Sequence, residues 1–280
     1  MLQEFFPVLE GVPMGDLWVL LAWGLLFMVV WMFALYLLHF KLKNAGIVDF
    51  GWAAGLAFLG VFYALKGDGY TPRRYLIGAM VLIWGGRLAW HILSDRILGG
   101  KEEDPRYTAI RESWKNYIGI KLFFYFEFQA ILCVLLSVPF ALLVIDPLQR
   151  ITGYEWLSFC IWVVAMGGEA IADAQLKAFK SHPDNHGRVC EDGFWYHSRH
   201  PNYFFEWLVW MAYFVAAMAT DYGAWTMYCP ILMLYFLFKV TGIPLTEKHA
   251  LESRGAEYAE YQKTTSAFVP WFKKSPPPEE

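Results

Sequence analysis

Apolar residues gather in seven long runs along the chain, at about 17–40, 46–66, 75–95, 120–145, 155–173, 203–220 and 224–242. A bilayer core takes roughly 20 mostly apolar residues per helix, so each run predicts a membrane-spanning helix. Asp49 and Arg87 interrupt the second and third runs. The connections are short except for 96–119 and 174–202, and a polar tail follows 243. No internal repeat is present, and the terminal SPPPEE at 275–280 is expected to be disordered. The pattern predicts an all-α polytopic membrane protein, a seven-transmembrane-helix bundle forming a single domain over 1–280.

Composition sharpens this picture. Of 280 residues, 57% are hydrophobic and only 18% charged, where a soluble domain carries about 25% charged residues. The net charge of −3 and the lack of basic blocks give no reason to expect a nucleic-acid partner. Cys133, Cys160, Cys190 and Cys229 are too widely spaced for a disulfide framework or a zinc site. Acidic Glu4, Glu10 and Asp16 precede the first run, which is also too long for a signal peptide. With the N-terminus outside, 17 Lys and Arg fall in inner segments and 4 in outer ones. That bias predicts an external N-terminus and a cytoplasmic C-terminus, and an odd number of spans.

Charged groups inside the runs then need reasons, since each costs about 2.5–3.5 kcal/mol at a helix centre. Glu169, Asp173, Lys177 and Lys180 share one helix face at i, i+4, i+8 and i+11. Asn202 and Glu206 are also i, i+4. These two polar faces flank the basic loop 174–202 and predict a cavity opening to the cytoplasm. Glu127 and Lys239 lack polar companions at helical spacing and are read as pairs that hold the bundle together. For Asp49 and Arg87 two readings stand: an ion pair with each other, or groups lining a pocket.

The stretch WYHSRHPNYFFEW, 195–207, concentrates candidate chemistry. Together with His182 and His186 its histidines invite a metal reading. Against it, the seven histidines include no adjacent pair, and Pro183 breaks the helix that would align His182 with His186. No metal is expected. Neither a G-x-G-x-x-G nor a P-loop occurs, so side chains would have to hold any nucleotide. Lys177, Lys180, Arg188 and Arg199 suit phosphates. Asp173, Asn202 and Glu206 suit ribose hydroxyls and amides, and Trp195, Tyr196 and Tyr203 supply flat faces for a ring.

GFWYHSRHPNYFFEW, the tail EYAEYQKTTSAFVPWF and EAIADAQLKAFK at 169–180 resemble the steroid 5-alpha-reductase family, in its bacterial DUF1295-type branch. The likeness covers about 165–272, while VDFGW (48–52) and WGGRL (84–88) also look like the bacterial branch. The resemblance implies seven transmembrane helices, NADPH held in the cytoplasmic half, and hydride transfer to the C=C bond of a 3-oxo enone. It puts Asp173, Lys180, Arg188, Asn202, Tyr203 and Glu206 on cofactor-contacting positions, with His249 and Tyr261 carried over from the tail. Trp195, Arg199 and His200 join them from the same loop. The glutamate and tyrosine that polarise the carbonyl in the animal enzymes have no counterparts; Asp49 and Trp84 stand at the nearest positions.

The expected function is therefore an NADPH-dependent membrane reductase, of steroid 5-alpha-reductase type, acting on a 3-oxo-4-ene steroid or similar lipophilic enone that enters from lipid. Asp49, protonated among aromatics, would donate to the carbonyl, unless Arg87 pairs with it and keeps it ionised. Trp52 and Trp84 would form the substrate wall. Arg-His-Pro-x-Tyr with a downstream glutamate also resembles isoprenylcysteine and phospholipid methyltransferases, which use S-adenosylmethionine. That alternative leaves four basic groups without a phosphate to bind. A transporter or receptor is disfavoured because no matching pair of broken helices appears in the two halves. The closest-looking branch places the protein in a bacterial inner membrane, surrounded by its lipids.

Overall fold

A computed structural model describes residues 12–99, 103–240 and 242–274. The tail at 275–280, and Glu4, Glu10 and Lys101 of the charge argument, lie outside the described residues. The fold is all-α. Its helices are α1 (Met14–Leu42), α2 (Ile47–Lys66), α3 (Thr71–Ile92), α4 (Pro105–Ser113), α5 (Ile118–Leu136), α6 (Val138–Ile145), α7 (Gly153–Ser181), α8 (Phe194–His197), α9 (Pro201–Ala217), α10 (Tyr228–Tyr235) and α11 (Ile243–Thr264). π-helical turns extend α3 over Leu93–Ile97 and α10 over Phe236–Val240.

Among the described residues six helical stretches are long and apolar enough to cross a membrane. They correspond to the expected spans except for the one predicted at 203–220. That one is α9, with 17 residues, at the lower limit of spanning length. The expected span at 120–145 is two helices, because Pro139 at the start of α6 cannot donate into the last turn of α5. The sixth stretch lies in Gly223–Thr264, where the apolar turns to Val240 precede the polar helix α11.

By its internal packing the chain divides into two compact units, one running through Trp156 and taking in Val215–Thr226, the other comprising Leu157–Phe214 and Met227 onward. In the first unit α2 and α3 lie close because glycines face methyl groups: a side chain at Gly60 would strike Val81, and one at Gly78 would strike Ala64. Met28 and Met32 of α1 are fully buried, and Gly51 and Gly55 of α2 receive them and Leu35. At the start of α3, Arg73 is wholly enclosed. Its Nη1 donates to Asp146 Oδ1 at 2.9 Å, its Nη2 to the Arg150 carbonyl at 2.7 Å, and its Nε to Glu155. Glu155 in turn accepts from the Thr152 N–H at 2.6 Å, capping α7. Glu127 departs from expectation. Its two carboxylate oxygens are enclosed, and among the described residues neither has a hydrogen-bond partner.

In the second unit α7 and α9 pack tightly at Gly168, where any side chain would run into the Phe205 ring. The Ser158 hydroxyl donates to the Ala212 carbonyl at 2.7 Å further along the same pair. α7 ends where Pro183 holds the preceding His182 in an extended conformation.

Candidate functional site

The first unit gathers its chemistry around Asp49, in the opening turn of α2. Asp49 Oδ1 accepts the Tyr107 hydroxyl at 2.7 Å and Oδ2 accepts Arg106 Nη2 at 2.8 Å. Both partners come from α4, whose start is fixed by Asp104 as N-cap and Pro105 at the first helical position. Asp104 also accepts from Arg106 Nε and Nη2, each at 3.0 Å, so the guanidinium is clamped between two carboxylates. Burial works against the charge on Arg106, but Asp49 and Asp104 outweigh it and make the group more basic than an ordinary arginine. Burial and then the Asp49 carboxylate push the Tyr107 phenol well above its usual value, so it stays a donor. Tyr107 is almost fully buried, with the Tyr125 ring edge-on at 6.4 Å.

This geometry bears on two expectations. Both Asp49 oxygens are taken up by α4, one accepting the Tyr107 hydroxyl and the other the Arg106 guanidinium. Trp52 and Trp84 do meet, edge to face at 6.0 Å, but Trp84 has no accessible surface and packs as core. Trp52 alone keeps exposed area for a ligand. Arg87 lies on α3, partly buried, one turn beyond Trp84. Arg106 and Tyr107 were absent from the sequence reading. The D-P-R-Y run at 104–107, a helix start in the long loop 96–119, was the signal that could have found them.

The second unit brings the two predicted polar faces together. Asn202 Nδ2 donates to Asp173 Oδ1 at 3.3 Å, joining the first turn of α9 to α7. Glu206, one turn deeper in α9, accepts the Trp210 indole N–H at 3.2 Å. The cations divide sharply. Arg199 is engaged internally: Nε to Glu247 at 2.6 Å, and Nη1 to the carbonyls of Gln262 and Thr265 at 2.9 and 2.6 Å. Arg199 is therefore a clamp on the C-terminal segment, with its Nε and Nη1 committed there. Lys177 and Arg188 are exposed, and no hydrogen bond or ion pair engages their side chains among the described residues. Lys180 is exposed on the last turn of α7.

Other predicted cofactor groups serve the fold. The Trp195 indole donates to the Ala172 carbonyl at 2.9 Å, and the Tyr261 hydroxyl donates to the carbonyls of Trp195 and Ser198. Gly193 makes this turn possible, since its φ is +57° and any side chain would meet Gln175. His200 is buried, stacked on Tyr203 at 5.4 Å and 3.3 Å from Glu247. Burial lowers its pKa, against the pull of Glu247. Tyr203 also reaches the Thr246 hydroxyl at 3.4 Å, while His249 lies on the surface beside Glu252.

The sequence pattern of the family described as "Protein of unknown function (DUF1295)" matches residues 35–265. The chain belongs to the DUF1295 family. A relative in Schizosaccharomyces pombe, "Uncharacterized protein C594.04c", is 27% identical over 259 residues, covering 81% of this chain and 73% of its own. No solved structure matches. Family membership and the apolar helices fit a multi-pass membrane protein.

Proposed function

We propose that this DUF1295 protein is an NADPH-dependent membrane reductase of lipophilic enones, in line with its resemblance to the steroid 5-alpha-reductases. The observation that carries the reading is the Asp173–Asn202 pair with Lys177 one turn along α7 and Arg188 in the following loop, both cations unengaged among the described residues. Carboxylate and amide suit the ribose and nicotinamide amide, and the two cations suit the phosphates. Glu206, Tyr203, Lys180 and His249 complete the set. Bound there, NADPH would supply a hydride for the β-carbon of the enone, and a proton from water would complete the reduction at the α-carbon.

The chain's own contribution is electrostatic. Within the first unit, the Arg106 guanidinium, fixed by Asp49 and Asp104, is a preorganised positive group of the kind that stabilises charge on a carbonyl oxygen without reorientation. Asp49 orients Tyr107 and Arg106 in place of donating a proton itself. Trp52 offers an apolar surface to the substrate.

A second reading has one specific observation in its favour. A cavity of about 630 Å³ in the second unit is lined by Glu191, Glu257, Glu260, Tyr196 and Tyr261 together with Thr264, Lys273 and Lys274, and Lys273 pairs with Glu191 and sits over the Tyr196 ring at 4.4 Å. Glu257, Glu260 and the Tyr261 ring suit a cation such as the sulfonium of S-adenosylmethionine, which would compete there with Lys273. Thermal stability of the purified protein with NADPH, NADH and S-adenosylmethionine separates the two, because a ligand binding only the folded state raises it. Stabilisation by NADPH that is lost in Lys177→Ala/Arg188→Ala supports the reductase. Stabilisation by S-adenosylmethionine, unaffected by that double variant, replaces it with a methyltransferase.

A further inference from the structure

The last described residues carry a feature that neither reading uses. Exposed large apolar side chains are scarce after Gly242: Leu251 on α11, then Val269, Trp271 and Phe272 within four residues. Trp271 is 66% exposed and Phe272 77%, yet the backbone beneath them is tightly held. The Trp271 N–H donates to the His197 carbonyl at 2.9 Å and the Lys274 N–H to the Thr264 carbonyl at 2.8 Å. The Ser198 hydroxyl donates to the Phe268 carbonyl at 2.8 Å, and Arg199 N–H to the Ser266 carbonyl at 2.8 Å. A flexible tail exposes aromatics by default; a segment pinned at four points presents them.

What covers them follows from where they are pinned. Phe268 is buried against Phe204 and Trp207 of α9 and against Phe238 in the π turn that closes the preceding apolar stretch. His197, which holds Trp271, lies four residues before Pro201, the first residue of α9. The aromatic pair is thus tied to the level at which α9 begins and the π turn after α10 ends. That is the depth at which tryptophan and other amphipathic aromatics gather in membrane proteins, with cations on the water side. Lys274 follows, exposed, and Lys273 is drawn back onto Glu191 and the Tyr196 ring. α11, in contrast, exposes Lys248, Glu252, Glu260 and Lys263.

We infer that Val269, Trp271 and Phe272 form an interfacial anchor that seats the 265–274 strap in the phospholipid headgroup region at the end of the bundle where α9 begins. The occupant is lipid. Because the same strap binds Arg199 and Ser198, the bilayer becomes a structural partner of the loop 194–200.

Photo-crosslinking tests this directly. Benzoyl-phenylalanine replaces Trp271, Phe272 or, as a control on the polar face of α11, Lys263, in the full chain reconstituted in nanodiscs of defined phospholipid. Phospholipid adducts by mass spectrometry at 271 and 272, at least about tenfold above the control, are expected for an interfacial site. Crosslinked dimers, or adduct yields at both positions no higher than at 263, overturn the anchor. Using two positions guards against one substitution disturbing the fold, and unchanged thermal stability certifies each variant.

Discussion

Asp49 holds two residues of a different helix at once, Tyr107 at 2.7 Å and Arg106 at 2.8 Å, and so ties α4 to the first turn of α2. An amide in place of that carboxylate keeps the shape but loses the charge that fixes Arg106.

Asp49→Asn is expected to lower kcat by about a hundredfold, the scale of losing one preorganised electrostatic group. NADPH affinity should stay within about twofold, because every proposed cofactor group is elsewhere. Steady-state kinetics alongside nucleotide binding reads both. Equal losses in turnover and in binding would remove the cluster from the chemistry and leave it a structural clamp.

Arg73→Ala strands Asp146 and Glu155, both buried, without their cation. The expected cost is about 3–5 kcal/mol, as for breaking a buried pair by deleting one partner. Arg73→Met combined with Asp146→Asn and Glu155→Gln should recover most of it. Denaturant unfolding in mild detergent measures both, and a triple variant as unstable as the single one contradicts the account.

Two glycines make an internal comparison. Gly193 and Gly187 both have positive φ, at +57° and +79°, but only Gly193 has a neighbour, Gln175, where a side chain would go. Gly187→Ala should cost about 1 kcal/mol of backbone strain, and Gly193→Ala up to about 3. Equal melting shifts for the two would mean that the Gln175 contact yields freely.

Acid should loosen the C-terminal clamp. Burial alone would raise the Glu247 carboxyl, but hydrogen bonds from His200 and Arg199 prevail and hold it down to about 2, against 4.5 unfolded. His200 is lowered by burial from 6.5. Both folded values lie below the unfolded ones, so the stability they confer is complete above pH 6.5 and is lost on acidification. His200 gives up its share first, and Glu247 follows below pH 4.5. Melting temperature in the wild type should hold from pH 8 to about 6.5 and then fall down to pH 3. Glu247→Gln should start lower and fall less between pH 4.5 and 3, and a flat wild-type profile would refute the linkage.

These sites differ in how far the sequence announces them. The apolar runs mark the helices because lipid demands that backbone groups be satisfied within each segment. Asp173 and Asn202 were legible for a related reason: polar residues at i, i+4 on helices that face lipid elsewhere need company, and each supplies it to the other. Asp49 advertised its need but not its partner. Arg106 and Tyr107 stand 57 and 58 residues away, and no periodicity connects a helix start in a loop to a span that precedes it. The partners of Arg199 were hidden for the opposite reason. A basic residue in a basic loop reads as available, and only the folded tail shows Glu247 and two carbonyls already holding it. The break at Pro139 was visible as a proline, but hydropathy carries across it unchanged.

The enclosure of Arg73 bears on how the protein is made. Its two carboxylates follow it by 73 and 82 residues. During synthesis α3 is complete while Asp146 and Glu155 have yet to leave the ribosome, so the guanidinium must remain hydrated at the membrane surface until they appear. Docking of α3 at that end is thereby deferred until the start of α7 arrives, and the order in which the helices assemble is written into one ion cluster.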